Sequence, residues 1–255
     1  MKKFNFVFDK SKKALSLKKI IFKRYNNSSI KNSDAIIVGG GDGYMLKTIK
    51  RLYKFNKPFY GINCGSVGFL LNKYDTKKIS EKINKAKITI INPLQVLTIN
   101  KLKKRSSLLA INELSLFRQS KQTSLLKLKI NNKTLIKKLI GDGILFSTPA
   151  GSTAYNMSVN GPILSLNSKK IAITPISPFR PRRWKGKIIS DRKSIYILNL
   201  DPKKRPIAAV ADNNEIRNIV KVKVSINKAI KFKLLFNSSE SLYKKIKSEQ
   251  KRKIS

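Results

Sequence analysis

Residues Ile36–Gly43, with the sequence Ile-Ile-Val-Gly-Gly-Gly-Asp-Gly, determine how the first part of the chain folds. A short apolar run ends at the glycines, and apolar residues at helical spacing follow over Tyr44–Phe55. Glycines permit positive φ and let the backbone approach a ligand without a Cβ in the way. Free N–H groups at the start of the next helix suit a phosphate. The stretch therefore predicts a strand, a glycine turn and a helix that together bind a phosphorylated ligand.

Asp42 is unusual in a phosphate-binding turn, because its negative charge repels phosphate. Three interpretations are open: the carboxylate binds Mg²⁺, it removes a proton from a hydroxyl group, or it caps the helix N-terminus. The turn is neither a Walker A loop, since no Gly-Lys-Ser/Thr follows, nor a Gly-x-Gly-x-x-Gly motif.

Strand and helix patterns alternate on both sides of this turn. Phe4–Phe8 and Phe59–Asn63 are short runs typical of buried strands, whereas Ser11–Tyr25 and Asp75–Ala86 have helical spacing. This alternation predicts an α/β unit with a parallel sheet covered by helices.

The pattern changes after about Lys87. Short runs rich in Ile, Leu, Val and Thr, among them Ser107–Phe117 and Gly143–Ser147, follow one another with Asn, Gly, Pro and Lys between them. That arrangement predicts a mostly antiparallel β unit. The segment Ser238–Ser255 is charged, and part of it is expected to be helical.

Composition limits the possible functions. The 255 residues include one cysteine, Cys64, and no histidine, and their formal net charge is +43. A single cysteine excludes an internal disulfide and fits a reducing cytoplasm. No apolar run approaches the ~18 residues of a membrane span. The lysines are spread along the chain without interleaved aromatic residues, which favours a solvated cationic surface over a specific nucleic-acid site.

Two further polar stretches stand out in the β-rich part. Gly141-Asp142-Gly143 precedes a strand, and small hydroxyl residues and glycine then crowd the stretch up to Tyr155-Asn156. Such a loop can wrap a polar ligand, and Tyr155 can stack on a planar ring. Asn112-Glu113 is a polar pair that the apolar pattern places inside the strand Ser107–Phe117, where it needs partners, a ligand being one possibility.

Taken together, these segments resemble the NAD kinase family. The blocks that carry the resemblance are Gly40–Gly43, Asn63–Leu70, Asn112-Glu113, Gly141–Asn156 and Thr174–Pro178. The first block is shared with lipid kinases and phosphofructokinases, whereas the long block Gly141–Asn156 is highly specific.

The resemblance implies α/β plus all-β architecture, with an N-terminal Rossmann-like domain and a C-terminal β-sandwich. The corresponding boundaries are 1–95, with 231–255 returning to it, and 96–230. It also implies NAD as acceptor, ATP or polyphosphate as donor, Mg²⁺ or another divalent cation, and a homodimer or homotetramer.

Matched position by position, the resemblance makes Asp42 the general base that accepts the proton of the 2′-hydroxyl of the adenosine ribose. It identifies no residue as a metal ligand. The residues that it implies for nucleotide binding are Gly43, Lys47, Asn112, Glu113, Asp142, Ala150, Thr153, Ala154, Tyr155, Asn156, Met157, Ser158 and Asn214.

Two alternatives remain open from the sequence. A lipid or sugar kinase could share the Gly-Gly-Asp-Gly turn, but no amphipathic membrane helix is evident and the Ser147–Asn156 stretch would be unexplained. A basic nucleic-acid-binding protein that has kept an old fold is the second alternative.

Overall fold

The computed structural model describes residues 2–66 and 68–237, so Val67 and the segment Ser238–Ser255, with its expected helix, lie outside the described residues. The α-helices in this part of the chain are α1 (Lys12–Phe22), α2 (Asp42–Leu52), α3 (Ile79–Lys85) and α4 (Tyr155–Ser158), and short 3-10 helices cover Tyr53–Phe55 and Ala150–Thr153. The strands are β1 (Phe4–Phe8), β2 (Ala35–Gly40), β3 (Phe59–Asn63), β4 (Lys87–Ile91), β5 (Leu94–Asn100), β6 (Arg105–Ala110), β7 (Glu113–Arg118), β8 (Ser124–Ile130), β9 (Lys133–Gly141), β10 (Gly143–Ser147), β11 (Lys170–Ile176), β12 (Lys187–Ser190), β13 (Ile195–Asn199), β14 (Ile207–Ala211), β15 (Asn214–Ile216), β16 (Ile219–Ile226) and β17 (Phe232–Phe236).

The described chain divides into two compact units. The N-terminal unit comprises residues 2–91 and 231–237, and the C-terminal unit comprises Asn92–Ile230. No helix in either described part is both long enough and apolar enough to cross a membrane.

The N-terminal unit is built on a five-stranded sheet with the order β1-β2-β3-β17-β4. Strands β1, β2, β3 and β17 are parallel, and β4 runs antiparallel to β17. Every residue of β2 is buried, as expected for a central parallel strand that is covered on both faces. Helix α1 begins where the Ser11 hydroxyl accepts the Ala14 N–H, and it buries Ala14, Leu17 and Ile21 in the core of this unit.

The C-terminal unit contains two six-stranded sheets, ordered β12-β11-β10-β7-β14-β15 and β6-β5-β16-β13-β8-β9, in which the strand pairs are antiparallel. The two sheets share one hydrophobic core, to which Val96 and Ile197 contribute from one sheet and Leu114 and Phe146 from the other. This is a β-sandwich. The fold class predicted from the sequence, α/β plus all-β, is therefore confirmed.

Two local predictions are wrong. The run Ser107–Phe117 is not one strand: β6 ends at Ala110 in one sheet, and β7 begins at Glu113 in the other. Asn112 therefore lies where the chain crosses between sheets, which a continuous apolar pattern cannot reveal.

The glycine turn is also shorter than predicted. Strand β2 continues through Gly40, and Gly41 alone separates it from α2, with an extended φ of −96°. Positive φ among the described glycines occurs at Gly186 only, so conformational freedom does not explain the glycines of the turn.

Candidate functional site

Asp42 is the first residue of α2, and Gly41 occupies the capping position, so the capping interpretation of Asp42 is wrong. One carboxylate oxygen of Asp42 accepts the N–H of Phe69 at 2.8 Å, and the other accepts the N–H of Leu70 at 3.0 Å. Two hydrogen bonds to separate oxygens fix the orientation of a carboxylate. The first sequence block and the Asn63–Leu70 block thus meet at this side chain.

The glycines around Asp42 fall into two groups. A Cβ on Gly39 would lie 2.6 Å from the ring of Phe8, and a Cβ on Gly40 would lie 2.9 Å from the Asp9 carboxylate, so both positions are closed by packing. A Cβ on Gly41 or Gly43 would meet no atom of the described residues within 4 Å. The second pair leaves the backbone at the start of α2 open to a close approach from outside.

Lys47, which the family resemblance implied as a nucleotide contact, is exposed on α2. Five helical positions separate it from Asp42, which corresponds to a rotation of about 140° around the axis. The two side chains therefore do not share a face of the helix.

In the C-terminal unit, the crossing between the sheets is held by Asp212. Its carboxylate accepts the backbone N–H groups of Ile111 and Asn112 at 2.8 Å each and of Glu113 at 3.3 Å. Thr148 binds the carbonyl groups of the same crossing segment. Its N–H donates to the Asn112 carbonyl at 2.9 Å, and its hydroxyl donates to the Ile111 carbonyl at 2.7 Å.

Gly151 packs directly against the same crossing. A Cβ at this position would lie 2.2 Å from the carbonyl oxygen of Asn112, so a residue larger than glycine would displace one of the two segments. The side-chain oxygen of Asn112 is buried and has no hydrogen-bond partner among the described residues. Buried polar atoms are normally satisfied, and an acceptor left over at a loop cluster is typical of a site that a ligand completes.

Tyr155 brings together residues that are distant in sequence. Its ring packs against Phe117 with the centroids 5.7 Å apart. Burial raises the pKa of Tyr155, and the negative charges of Glu113 and Asp142 raise it further. Asp142 itself pairs with Arg118, whose Nε lies 2.5 Å from a carboxylate oxygen. Glu113, Asp142 and Tyr155 therefore lie close enough to interact electrostatically, and we call them the Tyr155 cluster; their role in ligand binding stays a prediction.

Asn156, in contrast, faces the interior. Its side chain is fully buried, donates to the Pro162 carbonyl at 2.9 Å and accepts the Thr174 hydroxyl at 2.7 Å. A Cβ on Gly161 would lie 2.2 Å from the Asn156 side-chain oxygen. The side chain braces the loop from within, which differs from the predicted ligand contact.

The remaining predicted contacts lie on or near the same loop of the C-terminal unit. Ala150 and Thr153 are buried in the 3-10 helix, Ala154 and Met157 are half-buried, Ser158 is exposed at the end of α4, and Asn214 is exposed at the start of β15.

Two residues of the cluster were missed by sequence reasoning. Asp212 lies in the polar Asp212-Asn213-Asn214 stretch, of which the family resemblance implies only Asn214, and Arg118 ends an apolar strand. The scarcity of acidic residues was the one signal for Asp212, since only 13 occur in the chain. Within residues 2–66 and 68–237, no group of three or more Cys, Asp and Glu side chains could hold a metal ion.

The fold, the residues around Asp42 and the residues around Asn112 and Tyr155 define a class of protein. It is a nucleotide-binding enzyme with an α/β unit and a β-sandwich unit. Comparison with known proteins specifies the family. The model of the ATP-NAD kinase C-terminal domain matches residues 111–238. The NAD kinase of Rickettsia rickettsii is 41% identical over 248 residues, 97% of each chain. That of Caulobacter vibrioides is 40% identical over 227 residues, 89% of this chain and 87% of the relative.

Solved structures agree with this assignment at the level of the fold. An NAD kinase from Archaeoglobus fulgidus in complex with ATP superimposes with a TM-score of 0.76 at 20% identity, over 96% of this chain and 99% of that one. Yeast NADH kinase complexed with NADH superimposes with a TM-score of 0.80 at 18% identity, over 100% of this chain and 89% of that one. The chain belongs to the NAD kinase family.

Proposed function

We propose that this protein transfers the terminal phosphoryl group of ATP to the 2′-hydroxyl of the adenosine ribose of NAD, which yields NADP and ADP. Family membership at about 40% identity over nearly the whole chain supports this reaction. The observation that carries the mechanism is the Asp42 carboxylate, held by the Phe69 and Leu70 amides at the start of α2.

In the proposed step, the ribose O2′ attacks the γ-phosphorus of ATP. The O2′–P bond forms, the bond between the γ-phosphorus and the bridging oxygen breaks, and the hydroxyl proton passes to Asp42. A hydroxyl is a poor nucleophile until its proton begins to leave, so an oriented carboxylate accelerates the step, typically by ~10²–10⁴-fold. The open backbone at Gly41 and Gly43 suits a phosphate that approaches the N-terminus of α2.

The cluster around Asn112 is proposed to hold NAD. The buried side-chain oxygen of Asn112 would accept a hydrogen bond from an amino or hydroxyl group of the dinucleotide. Glu113, Asp142 and Tyr155 would contribute further contacts, and the half-buried Ala154 would lie beside the same dinucleotide. We propose that the buried Asn156 holds this loop in shape from within.

Seven further residues are proposed to contact the nucleotides because the family resemblance implies them, and they differ in solvent exposure. Gly43, Lys47, Ser158 and Asn214 are exposed, Met157 is half-buried, and Ala150 and Thr153 are buried.

A divalent cation is proposed to enter with ATP. Mg²⁺ is commonly bound by substrate phosphates with only one or two carboxylates from the protein. The described residues fit this arrangement better than a metal site formed by the protein alone, because they contain no cluster of three ligands. A homodimer or homotetramer and a cytoplasmic location are proposed from the family resemblance and from the single cysteine.

The test is Asp42→Asn, with NADP formation from NAD and Mg·ATP followed by a dehydrogenase that accepts only NADP. We expect turnover to fall by ~10²–10⁴-fold, while NAD still binds. Asp34→Asn is the matched control, since Asp34 is also a carboxylate of the N-terminal unit that accepts a backbone amide, from Lys3 at 2.8 Å. Near-normal turnover of folded Asp42→Asn would exclude the proposed base.

A further inference from the structure

The segment Phe179–Gly186, between β11 and β12, has no part in the proposed function. Its sequence is Phe-Arg-Pro-Arg-Arg-Trp-Lys-Gly, so four of its eight residues are cationic. Charge of this density beside aromatic residues is typical of a surface that receives anions.

The segment is anchored at both ends. Ile140 and Arg180 face each other in an antiparallel bridge, in which the Ile140 N–H donates to the Arg180 carbonyl at 2.8 Å and the Phe179 N–H donates to the Ile140 carbonyl at 2.8 Å. Trp184 packs against the core of the β-sandwich. The first residues of the segment are therefore held directly beside Gly141-Asp142.

Glycine at position 141 makes this approach possible. A Cβ there would lie 2.8 Å from the Ser177 carbonyl oxygen and 3.1 Å from Pro178, both of which precede the segment. The Asp142 N–H also donates to the Ile176 carbonyl at 3.0 Å. Close backbone packing thus couples the position of the basic segment to that of Asp142.

The exposed part of the segment combines a ring with two cations. Phe179 is 54% exposed, and the guanidinium carbons of Arg180 and Arg182 lie 4.5 Å and 5.8 Å from its ring centroid. No carboxylate of the described residues pairs with either guanidinium. A guanidinium can bind phosphate oxygens through two parallel hydrogen bonds. The exposed aromatic face can contact a planar group.

The residues around Asp142 and Tyr155 provide no cation that could bind phosphate oxygens. Arg118 is already paired with Asp142, and residues 148–158 include neither lysine nor arginine. The diphosphate of NAD carries two negative charges, which residues proposed so far for NAD binding in the C-terminal unit do not neutralise.

We propose that Arg180 and Arg182 bind the diphosphate of NAD and that Phe179 supports their guanidinium groups. This inference rests on the proposed function, because it assigns a further contact to the same dinucleotide. Arg180 is the principal contact, since its backbone is tied to Ile140 beside Asp142. The segment thus acts in substrate recognition, whereas Asp42 acts in proton transfer.

The test compares Arg180→Gln and Arg182→Gln with Arg192→Gln, an exposed arginine of the same unit in the turn after β12. We expect the KM for NAD to rise about 10-fold in Arg180→Gln, with the loss of a charged hydrogen bond. The KM for ATP and the binding of adenosine, which has no phosphate, should stay unchanged. Arg180→Lys, which keeps the charge but not the two-pronged geometry, should lie between wild type and Arg180→Gln.

If the KM for NAD of Arg180→Gln and of Arg182→Gln were equal to that of the control Arg192→Gln, the inference would be overturned. It would also be overturned if the variants lost binding of single-stranded RNA while NAD binding was retained, which would assign the segment to nucleic acid. The ring of Phe179 is the one aromatic or polar contact of the Arg182 side chain among the described residues, so Arg182→Gln tests the surface with that contact alone removed. Failure of the wild type to form NADP would refute the proposed function instead, and equilibrium binding of NAD would still decide this inference.

Discussion

Replacing Asp212 with asparagine tests whether one carboxylate holds the dinucleotide cluster in place. One of its oxygens accepts the Asn112 and Glu113 amides, and the other accepts the Ile111 amide. Asparagine retains one acceptor oxygen and turns an NH₂ group toward a backbone donor. Asp212 has a φ of 53°, which asparagine tolerates, so the substitution removes the acceptor without backbone strain.

The magnitude follows from the hydrogen bonds that are lost. A hydrogen bond to a charged group contributes about 1.5–3 kcal/mol when it is buried. Asp212 is half-buried, so a cost of about 1.5 kcal/mol is expected for the loss of one amide contact. For a chain of this size that corresponds to a decrease of roughly 3–6 °C in the melting midpoint. The KM for NAD should rise as well, because the Asn112 backbone loses its restraint.

Thermal unfolding and steady-state kinetics with NAD provide the measurement. Asp201→Asn is the control, since Asp201 accepts a single amide, from Lys204 at 3.1 Å, within its own turn. A smaller midpoint change and an unchanged KM are expected for the control. If Asp212→Asn matched the wild type in both midpoint and KM, the proposed role of Asp212 would be refuted.

Two further predictions concern the N-terminal unit. Gly41→Ala should keep the wild-type melting midpoint but lose turnover, whereas Gly39→Ala should destabilise the fold, because its Cβ would lie 2.6 Å from Phe8; equal melting midpoints would contradict this. Burial raises the pKa of Cys64 to about 11, so the neutral thiol stabilises the fold below pH ~9 and this contribution is lost as the pH rises through 11. Alkylation of Cys64 at pH 8 should therefore be roughly 100-fold slower than that of a free thiol, and a rate equal to the free thiol would contradict the burial.

Much of the fold was predictable because it rests on local patterns. The apolar run before the glycines predicted β2, and helical spacing predicted α1 and α2 to within a few residues at each end. Short β-rich runs predicted a mostly antiparallel β unit, and the family resemblance implied that this unit is a sandwich. The Asn112-Glu113 pair and the Gly141–Asn156 block stood out in the sequence because polar and small residues interrupt apolar strands there.

The partners of those residues could not be predicted. Asp42 accepts amides 27 and 28 positions away, and Asp212 accepts amides about 100 positions away. Strand β17 inserts between β3 and β4, far from both in sequence. The crossing at Ile111-Asn112 has no local signal either, because apolar residues continue on both sides of it.

The sequence alone established the two kinds of secondary structure, the residues suited to phosphate and proton chemistry, and the resemblance to a family of kinases. Hydrophobic periodicity and glycine placement are patterns among neighbouring residues, so they can be recognised in the sequence without knowledge of the tertiary structure. The orientation of Asp42, the clamp formed by Asp212 and the site of the Phe179–Gly186 segment depend on hydrogen bonds between distant residues. Those exist only after the strands have paired, which is why they became visible in the tertiary structure.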